Sequence, residues 1–324
     1  TVVGAYFLLY TEDYMPELPE VHTTVTGLKR VLPNLTITDI WSDMWSTSKL
    51  AKNSIKDKSY FPYFKKYTLG QKILTVRRRA KHILIDLENG FTIIIHMKMT
   101  GHLMYGVYKQ NKKYNGKEWS WVPVTNDPLL LDPYNRHIHV VFTLKNAKKK
   151  ESHLVFCDSR KFGTIVVEKT STLHLERLSH LGPEPLEQTF TENNFKQRLL
   201  LSPTRAIKTV LMDQKIVAGI GNIYSDEMLH RAHILPTRTS KSLRNKEFTL
   251  LFKAMKEVLL KGIDFGGDSM SDYRNIDGAR GAFQTKHMVY LRTKERCLMK
   301  KCPGTIQKKN INGRSAHYCI VCQY

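Results

Sequence analysis

No stretch of this 324-residue chain is apolar for long enough to span a bilayer, which takes about 18 or more residues in succession, so no transmembrane helix is expected. Cysteine is nearly absent before residue 297, where only Cys157 occurs. That excludes the disulfide framework of a small secreted domain, and Cys157, in an apolar run, reads as a buried strand thiol. The opening TVVGAYFLLYTEDY has an apolar patch but neither a basic n-region nor a cleavage signature, so it is not read as a signal peptide. Internal repeats are missing too, which argues against a solenoid. Acidic residues are scarce: 29 Asp and Glu face 51 Lys and Arg, leaving a net charge of +22. Such an excess points to a polyanionic partner, because cations bound along a phosphate backbone release condensed counterions. Ribosomal and membrane-surface proteins also fit the charge alone.

What is present divides by character along the chain. Pro19 to Leu32 has helical spacing, with Val21, Val25, Leu28 and Val31/Leu32 on one face. From about Leu74 to Val167 the chain reads as strands, and Asn89-Gly90 between two β-rich runs is a hairpin signal. Residues 107–135 are polar, aromatic and Pro-containing, and read as an insertion or long loop. Leu181-Gly182-Pro183-Glu184-Pro185 is a break. Helices are then expected over Glu192 to Leu201, Pro203 to Val217, Ile223 to Ala232 and Lys246 to Gly262. A polar stretch from Gly266 to Gly281 follows, and cysteines crowd the end.

Four cysteines lie in the last 28 residues, spaced Cys297-x4-Cys302-x16-Cys319-x2-Cys322. Two close pairs separated by a hairpin-length segment suit tetrahedral zinc. With four protein ligands no position stays open for a catalytic water, so one structural Zn2+ is expected. Lys308, Lys309 and Arg314 lie between the pairs, placed for phosphate contact or for a solvated face. Upstream, Gly219-Ile220-Gly221-Asn222 sits between two helices. Glycines there permit a tight turn, Asn222 suits an N-cap, and amides at a helix start can seat a phosphate.

The most specific run is Met15-Pro16-Glu17-Leu18-Pro19-Glu20-Val21. With RRAKHILIDL, HMKMTG, DSRKFG, LGPEPL, RAIKTVLMDQKIVAGIGNIYSDE, GARGAFQ, VYLR and the cysteines, it closely resembles the bacterial formamidopyrimidine-DNA glycosylase family. The resemblance runs from Met15 to the C-terminus. It implies an α+β multidomain fold: an N-terminal β-sandwich with a catalytic N-terminal helix over 15–170 and a linker over 171–190. A helix–two-turn–helix domain would occupy 191–290 with a lesion-capping loop at 266–283, and a zinc-finger β-hairpin 291–324. The implied partner is double-stranded DNA containing oxidised bases, bound by a cytoplasmic, nucleoid-associated monomer with no membrane attachment.

By the same resemblance, this is a base-excision-repair glycosylase and AP lyase acting on 8-oxoguanine and formamidopyrimidines. The amine of Pro16 would form a Schiff base with the sugar, and Glu17 would be the general acid/base. Glu20 would orient the N-terminus. Lys81 would donate a proton in β-elimination, and Arg314 in δ-elimination while contacting phosphate. Met99, Arg160 and Phe162 match the residues that fill the gap left by an extruded base. Asn222 matches a phosphate contact, with His96 and Lys208 as lesser ones, and Ser269, Tyr273 and Arg280 lie in the capping loop.

Three features depart from the family pattern: the x4 spacing of the first cysteine pair, the long 107–135 segment, and residues 1–14. An internal proline nitrogen is a tertiary amide and forms no iminium. Catalysis therefore requires a chain beginning at Pro16, and residues 1–14 are expected to be absent from the mature enzyme. The alternatives are a pyrimidine-directed relative of endonuclease VIII, disfavoured by the Met99/Arg160/Phe162 set, and a non-catalytic damaged-DNA-binding protein with Pro16 blocked.

Overall fold

The computed structural model describes residues 15–112, 119–173, 177–270 and 272–324; the expected 1–14 extension lies outside them. The chain forms two compact units. The sandwich unit comprises Pro19–Ser179 and Gly266–Gly281, and the helical unit takes the chain up to Leu18, His180–Phe265 and Ala282–Tyr324. Two expected boundaries move. Pro16 to Leu18 group with the helices instead of the sandwich, and the 266–281 stretch groups with the sandwich instead of the helices.

In the sandwich unit, helix α1 (Leu18–Val31) contributes Val21, Val25 and Leu28 to the core, joined by Leu32 just beyond its end, the face its spacing predicts. One antiparallel sheet has the order β1 (Thr36–Ser42), β8 (Ile138–Lys145), β9 (Glu151–Asp158), β5 (Gly101–Gly106). The other has the order β10 (Thr164–Lys169), β4 (Phe91–His96), β3 (His82–Leu87), β2 (Ile73–Arg79). Alternating residues such as Ile83, Ile85, Ile93, Ile95, Phe142 and Phe156 make one shared core. The Asn89-Gly90 hairpin forms between β3 and β4, with Gly90 at φ 77. Two breaks were not foreseen. The run Ile73 to Leu87 folds back at Ala80, and the run His153 to Glu168 is interrupted after Asp158. Both breaks fall beside candidate functional residues. A short helix, α2 (Phe61–Thr68), also covers β4 and β10.

Of the insertion or long loop expected over 107–135, the described residues hold an antiparallel hairpin. Strands β6 (Tyr108–Lys112) and β7 (Trp119–Pro123) pair as an antiparallel hairpin. Trp121 and Leu130 pack with Trp41 on a small core that includes Met104, Tyr108, Val155 and the buried Cys157. Aromatic residues in a polar run were the signal for this core.

The helical unit holds α3 (Glu192–Leu199), α4 (Ile207–Leu211), α5 (Asn222–Arg231), α6 (Asn245–Asp264), and the hairpin β11 (Ile306–Ile311) and β12 (Arg314–Cys319). The apolar stripe of α6 (Phe248, Leu251, Met255, Leu259) closes the core with Ile207, Val210, Tyr224, Leu229 and Leu18. The helix expected over 203–217 is only five residues long. Asp213 stops it, because its side chain accepts from Lys215 N at 3.0 Å and offers the backbone a turn instead. Among the described residues no helix is long and apolar enough to cross a membrane.

Candidate active site and nucleic-acid interface

In the helical unit the Met-Pro-Glu run is seated on the turn before α5. Leu18 N donates to Gly219 O at 3.0 Å, and Gly219 has φ +93. A Cβ on Gly219 would lie 2.7 Å from Leu18 Cδ1, so glycine there is required twice over. Glu17, 2% exposed, accepts from Gly221 N at 2.6 Å and from Ile223 N at 2.9 Å. These are unpaired amides of the α5 start, where the macrodipole favours an anion. The expected phosphate seat is thus partly taken by the protein's own carboxylate. Asn222 is the first helical residue and not the N-cap, which is Gly221. Its amide Nδ2 lies 3.4 Å from Ser315 Oγ, next to Arg314 on β12. Pro16 itself is buried.

Lys208 departs from expectation. It is 1% exposed, and its ammonium meets Asp226 Oδ1 at 2.5 Å and Asn222 O at 3.3 Å. Enclosed in that way, its ammonium is held to the α5 start. Asp226 also accepts from His317 N at 2.8 Å, tying α5 to β12. Glu227, likewise buried, accepts from the amides of Met288, Val289 and Tyr290, which positions the chain entering the cysteine cluster. Their sequence signal was an adjacent acidic pair in mid-helix in a chain poor in acidic residues. Arg314, Lys308 and Lys309 are exposed on the hairpin.

The four thiols of Cys297, Cys302, Cys319 and Cys322 lie within 4.8 Å of one another. Cys297 and Cys322 are 3.7 Å apart and Cys302 and Cys319 3.6 Å, spacings at which all four can hold one metal ion. The five-residue step from Cys297 to Cys302 closes with Lys301 at φ 63. His230 Nε2 lies 3.4 Å from Cys297 Sγ, a neighbour the spacing did not reveal.

In the sandwich unit the candidates sit at loops whose backbone is bent into the left-handed region. Ala80 (φ 52) precedes Lys81, Lys98 (φ 56) precedes Met99, and Lys161 (φ 54) separates Arg160 from Phe162. Strained residues of this kind persist only where surroundings hold them. Asp158 supplies much of that hold. Fully buried, it accepts from Thr100 Oγ1, from Gly163 N at 2.7 Å and from Arg160 N at 3.3 Å. Lys56 donates to Lys161 O at 3.2 Å and to Phe162 O at 3.3 Å. Neither Asp158 nor Lys56 was among the expected residues. Met99, Arg160 and Phe162 come together: the Arg160 guanidinium lies 4.5 Å over the Phe162 ring, and its Nη1 is 3.6 Å from Met99 Sδ. Phe162 is 45% exposed, so the cluster faces solvent. Lys81 is buried. His96 stands edge-on to His82 at 4.7 Å. Burial, with the charges of His82, Lys98 and Lys81, holds His96 well below its ordinary pKa, so it is neutral.

Glu20 and the 266–281 stretch belong together. Glu20 Oε1 accepts from Asp268 N at 2.7 Å, and Glu20 O accepts from Tyr273 OH at 3.0 Å. Gly267 has φ +85, and a Cβ there would lie 2.9 Å from Glu20 Oε1. Of the three residues expected to face a base, only Arg280 is exposed. Ser269 and Tyr273 are buried scaffold: Ser269 Oγ donates to Tyr273 O at 2.9 Å and accepts from Gly281 N at 2.8 Å.

Comparison with known proteins gives the family. Residues 15–165 match the family model of the formamidopyrimidine-DNA glycosylase N-terminal domain, and residues 181–274 that of the formamidopyrimidine-DNA glycosylase H2TH domain. The chain is 36% identical over 310 residues to a formamidopyrimidine-DNA glycosylase of Pelotomaculum thermopropionicum, covering 95% of this chain and 99% of the relative. It is 36% identical over 312 residues to one from Rickettsia conorii, covering 96% and 100%. Lactococcus lactis Fpg, solved in complex with DNA containing an abasic site, superposes with a TM-score of 0.77 at 29% identity, covering 95% and 99%. The Fpg protein of Thermus thermophilus gives 0.72 at 30%, covering 95% and 98%. Relatives above one-third identity over nearly their whole length settle descent: the chain belongs to the formamidopyrimidine-DNA glycosylase family.

Proposed function

We propose that the chain removes oxidised purines, 8-oxoguanine and formamidopyrimidines, from duplex DNA and then cleaves the strand, using the amine of Pro16. An α-amine has a pKa near 8, against about 10.4 for lysine, so much more of it is unprotonated at neutral pH. The Pro16 nitrogen attacks C1′, the glycosidic bond breaks and the base departs taking a proton from solvent, while the Glu17 carboxylate takes the proton that the nitrogen sheds. The sugar ring opens as Glu17 protonates its oxygen, leaving an iminium between nitrogen and C1′. That cation acidifies the C2′ proton. Its removal expels the 3′ phosphate, and a second elimination expels the 5′ phosphate; Lys81 and Arg314 serve as the proton donors.

The observation that carries this reading is the seat of Glu17. A carboxylate one residue from the reacting nitrogen is enclosed, with both oxygens fixed by amides of the α5 start. Fixed geometry of this kind is what acid/base work requires. The Met99/Arg160/Phe162 cluster supports purine lesions opposite cytosine: Arg160 can pair with the orphaned base while Met99 and Phe162 wedge the stack. The cysteines fit zinc, which would neutralise the thiolates and brace the hairpin that carries Arg314. We take the enzyme to act as a cytoplasmic monomer.

Borohydride trapping on an 8-oxoguanine:cytosine duplex tests the proposal. Protein shown by mass to begin at Pro16 should form a covalent adduct at that residue, and protein retaining residues before Pro16 should form none. Trapping only on oxidised pyrimidines supports the endonuclease VIII reading. Binding without an adduct, from protein beginning at Pro16, overturns both enzymatic readings.

A further inference from the structure

Residues 127–136 close the long segment between β5 and β8, and they grip one half of the 266–281 stretch. Arg274 is 1% exposed, and its guanidinium forks onto Asp132: Nε to Oδ2 at 3.2 Å, Nη2 to Oδ1 at 3.1 Å and Nη2 to Oδ2 at 3.0 Å. The same guanidinium lies 4.8 Å over the Tyr134 ring. Asn135 Nδ2 donates to Leu129 O at 2.7 Å and reaches Gly278 O at 3.4 Å. Gly278, at φ +82, packs so tightly that a Cβ would lie 2.7 Å from Leu129 O. Asn135 is itself oriented by His102, whose Nε2 is 2.9 Å from its Oδ1. Burial pushes His102 down to about 4, so the ring stays neutral and donates. Asp132 is also fixed from within, since its Oδ1 accepts from Tyr134 N at 2.9 Å.

These contacts fasten the 272–278 half, while the 266–269 half rests on Glu20. A buried guanidinium and a half-buried carboxylate are held in one geometry by a planar fork, which specifies orientation as well as energy. We propose that residues 127–136 are a positioning element for the capping loop, with the Asp132–Arg274 pair as its fastener. This inference rests on the reading of 266–281 as the loop that covers an extruded base. Such a loop matters to a reaction that must hold a damaged base in place. It matters far less to an abasic site, which has no base to cover. Asp132 and Arg274 therefore act on base selection through the loop and touch no reacting atom.

Asp132→Asn removes one charge at constant shape, and Arg274→Lys keeps the charge but loses the fork. In both, amides of 272–278 should exchange with solvent faster than in the parent while those of β3 and β4 are unchanged. Release of 8-oxoguanine should fall about tenfold or more, the penalty of a small misplacement, and cleavage of a duplex with a preformed abasic site should be retained. Unchanged exchange and unchanged release in both variants overturn the proposal. An equal fall in release and abasic-site cleavage, with a lowered melting temperature, also overturns it, because that is a structural loss. Exchange is read on the protein alone. A parent enzyme that releases no base therefore overturns the glycosylase reading and leaves the fastening measurable.

Discussion

In the helical unit the candidate groups are buried and held by amides and ion pairs; in the sandwich unit the Met99/Arg160/Phe162 cluster is exposed and held by bent loops. Glu17, Asn222 and Lys208 are each at most 5% exposed, whereas Phe162 is 45% exposed. Burial suits a group that must present one proton at one place, because an enclosed carboxylate has few alternative positions. Exposure suits a group that must enter a base stack, since its contacts are made only when DNA arrives. Each solution has a characteristic weakness. Disturbing the buried set should cost chemistry or stability heavily. Disturbing the exposed set should cost discrimination and leave the fold alone.

The sharpest way to break that contrast is Glu17→Gln. The amide group keeps the side-chain shape, yet one end can no longer accept from Gly221 N or Ile223 N, and it carries no acid/base proton. Base release measured in a single turnover should fall about 10²–10⁴-fold, while duplex binding by gel shift stays near the parent value. Release at the parent rate would remove Glu17 from its role.

Next in size is Lys208→Met. The substitution leaves Asp226 buried with its ammonium partner gone, and removal of one member of a buried pair costs about 3–5 kcal/mol. A urea melt should show that loss. Because Asp226 also binds His317, the hairpin should loosen along with the α5 start. A melt like that of the parent would mean the pair is dispensable and the helical unit less tightly specified than its burial implies.

Much of this was legible in the sequence for physical reasons. Repeating apolar spacing exposed the faces of α1 and α6, Asn89-Gly90 exposed one hairpin, and the cysteine spacing exposed the four-thiol cluster. The misses share a cause. Ala80 and Lys161 turn the chain with positive φ but are not the glycines or asparagines that usually mark such turns. Only tertiary contacts, Asp158 and Lys56 among them, make the bend at Lys161 affordable in the folded state. The burial of Lys208 was not legible because its partner Asp226 lies 18 residues away. Ser269 and Tyr273 are placed in the capping loop by resemblance; the Ser269 hydroxyl serves the loop's own shape, and the Tyr273 hydroxyl ties the loop to α1.

The smallest predicted effect tests the exposed side of the comparison. Phe162→Ala removes the ring beneath the Arg160 guanidinium, a contact worth about 0.5–1 kcal/mol at an exposed site. The loop itself should persist, because Asp158 holds Gly163 and Arg160 through backbone amides that the substitution does not touch. Stability in a urea melt should therefore change by less than about 1 kcal/mol. Base release from an 8-oxoguanine:cytosine duplex should fall about tenfold, equivalent to ~1.4 kcal/mol of lost wedge. Cleavage at an abasic site in a single strand, where no stack needs wedging, should not change. A destabilisation as large as that of Lys208→Met would show that the ring braces the fold. The wedge would then be a rigid part of the sandwich and not a group kept available for DNA.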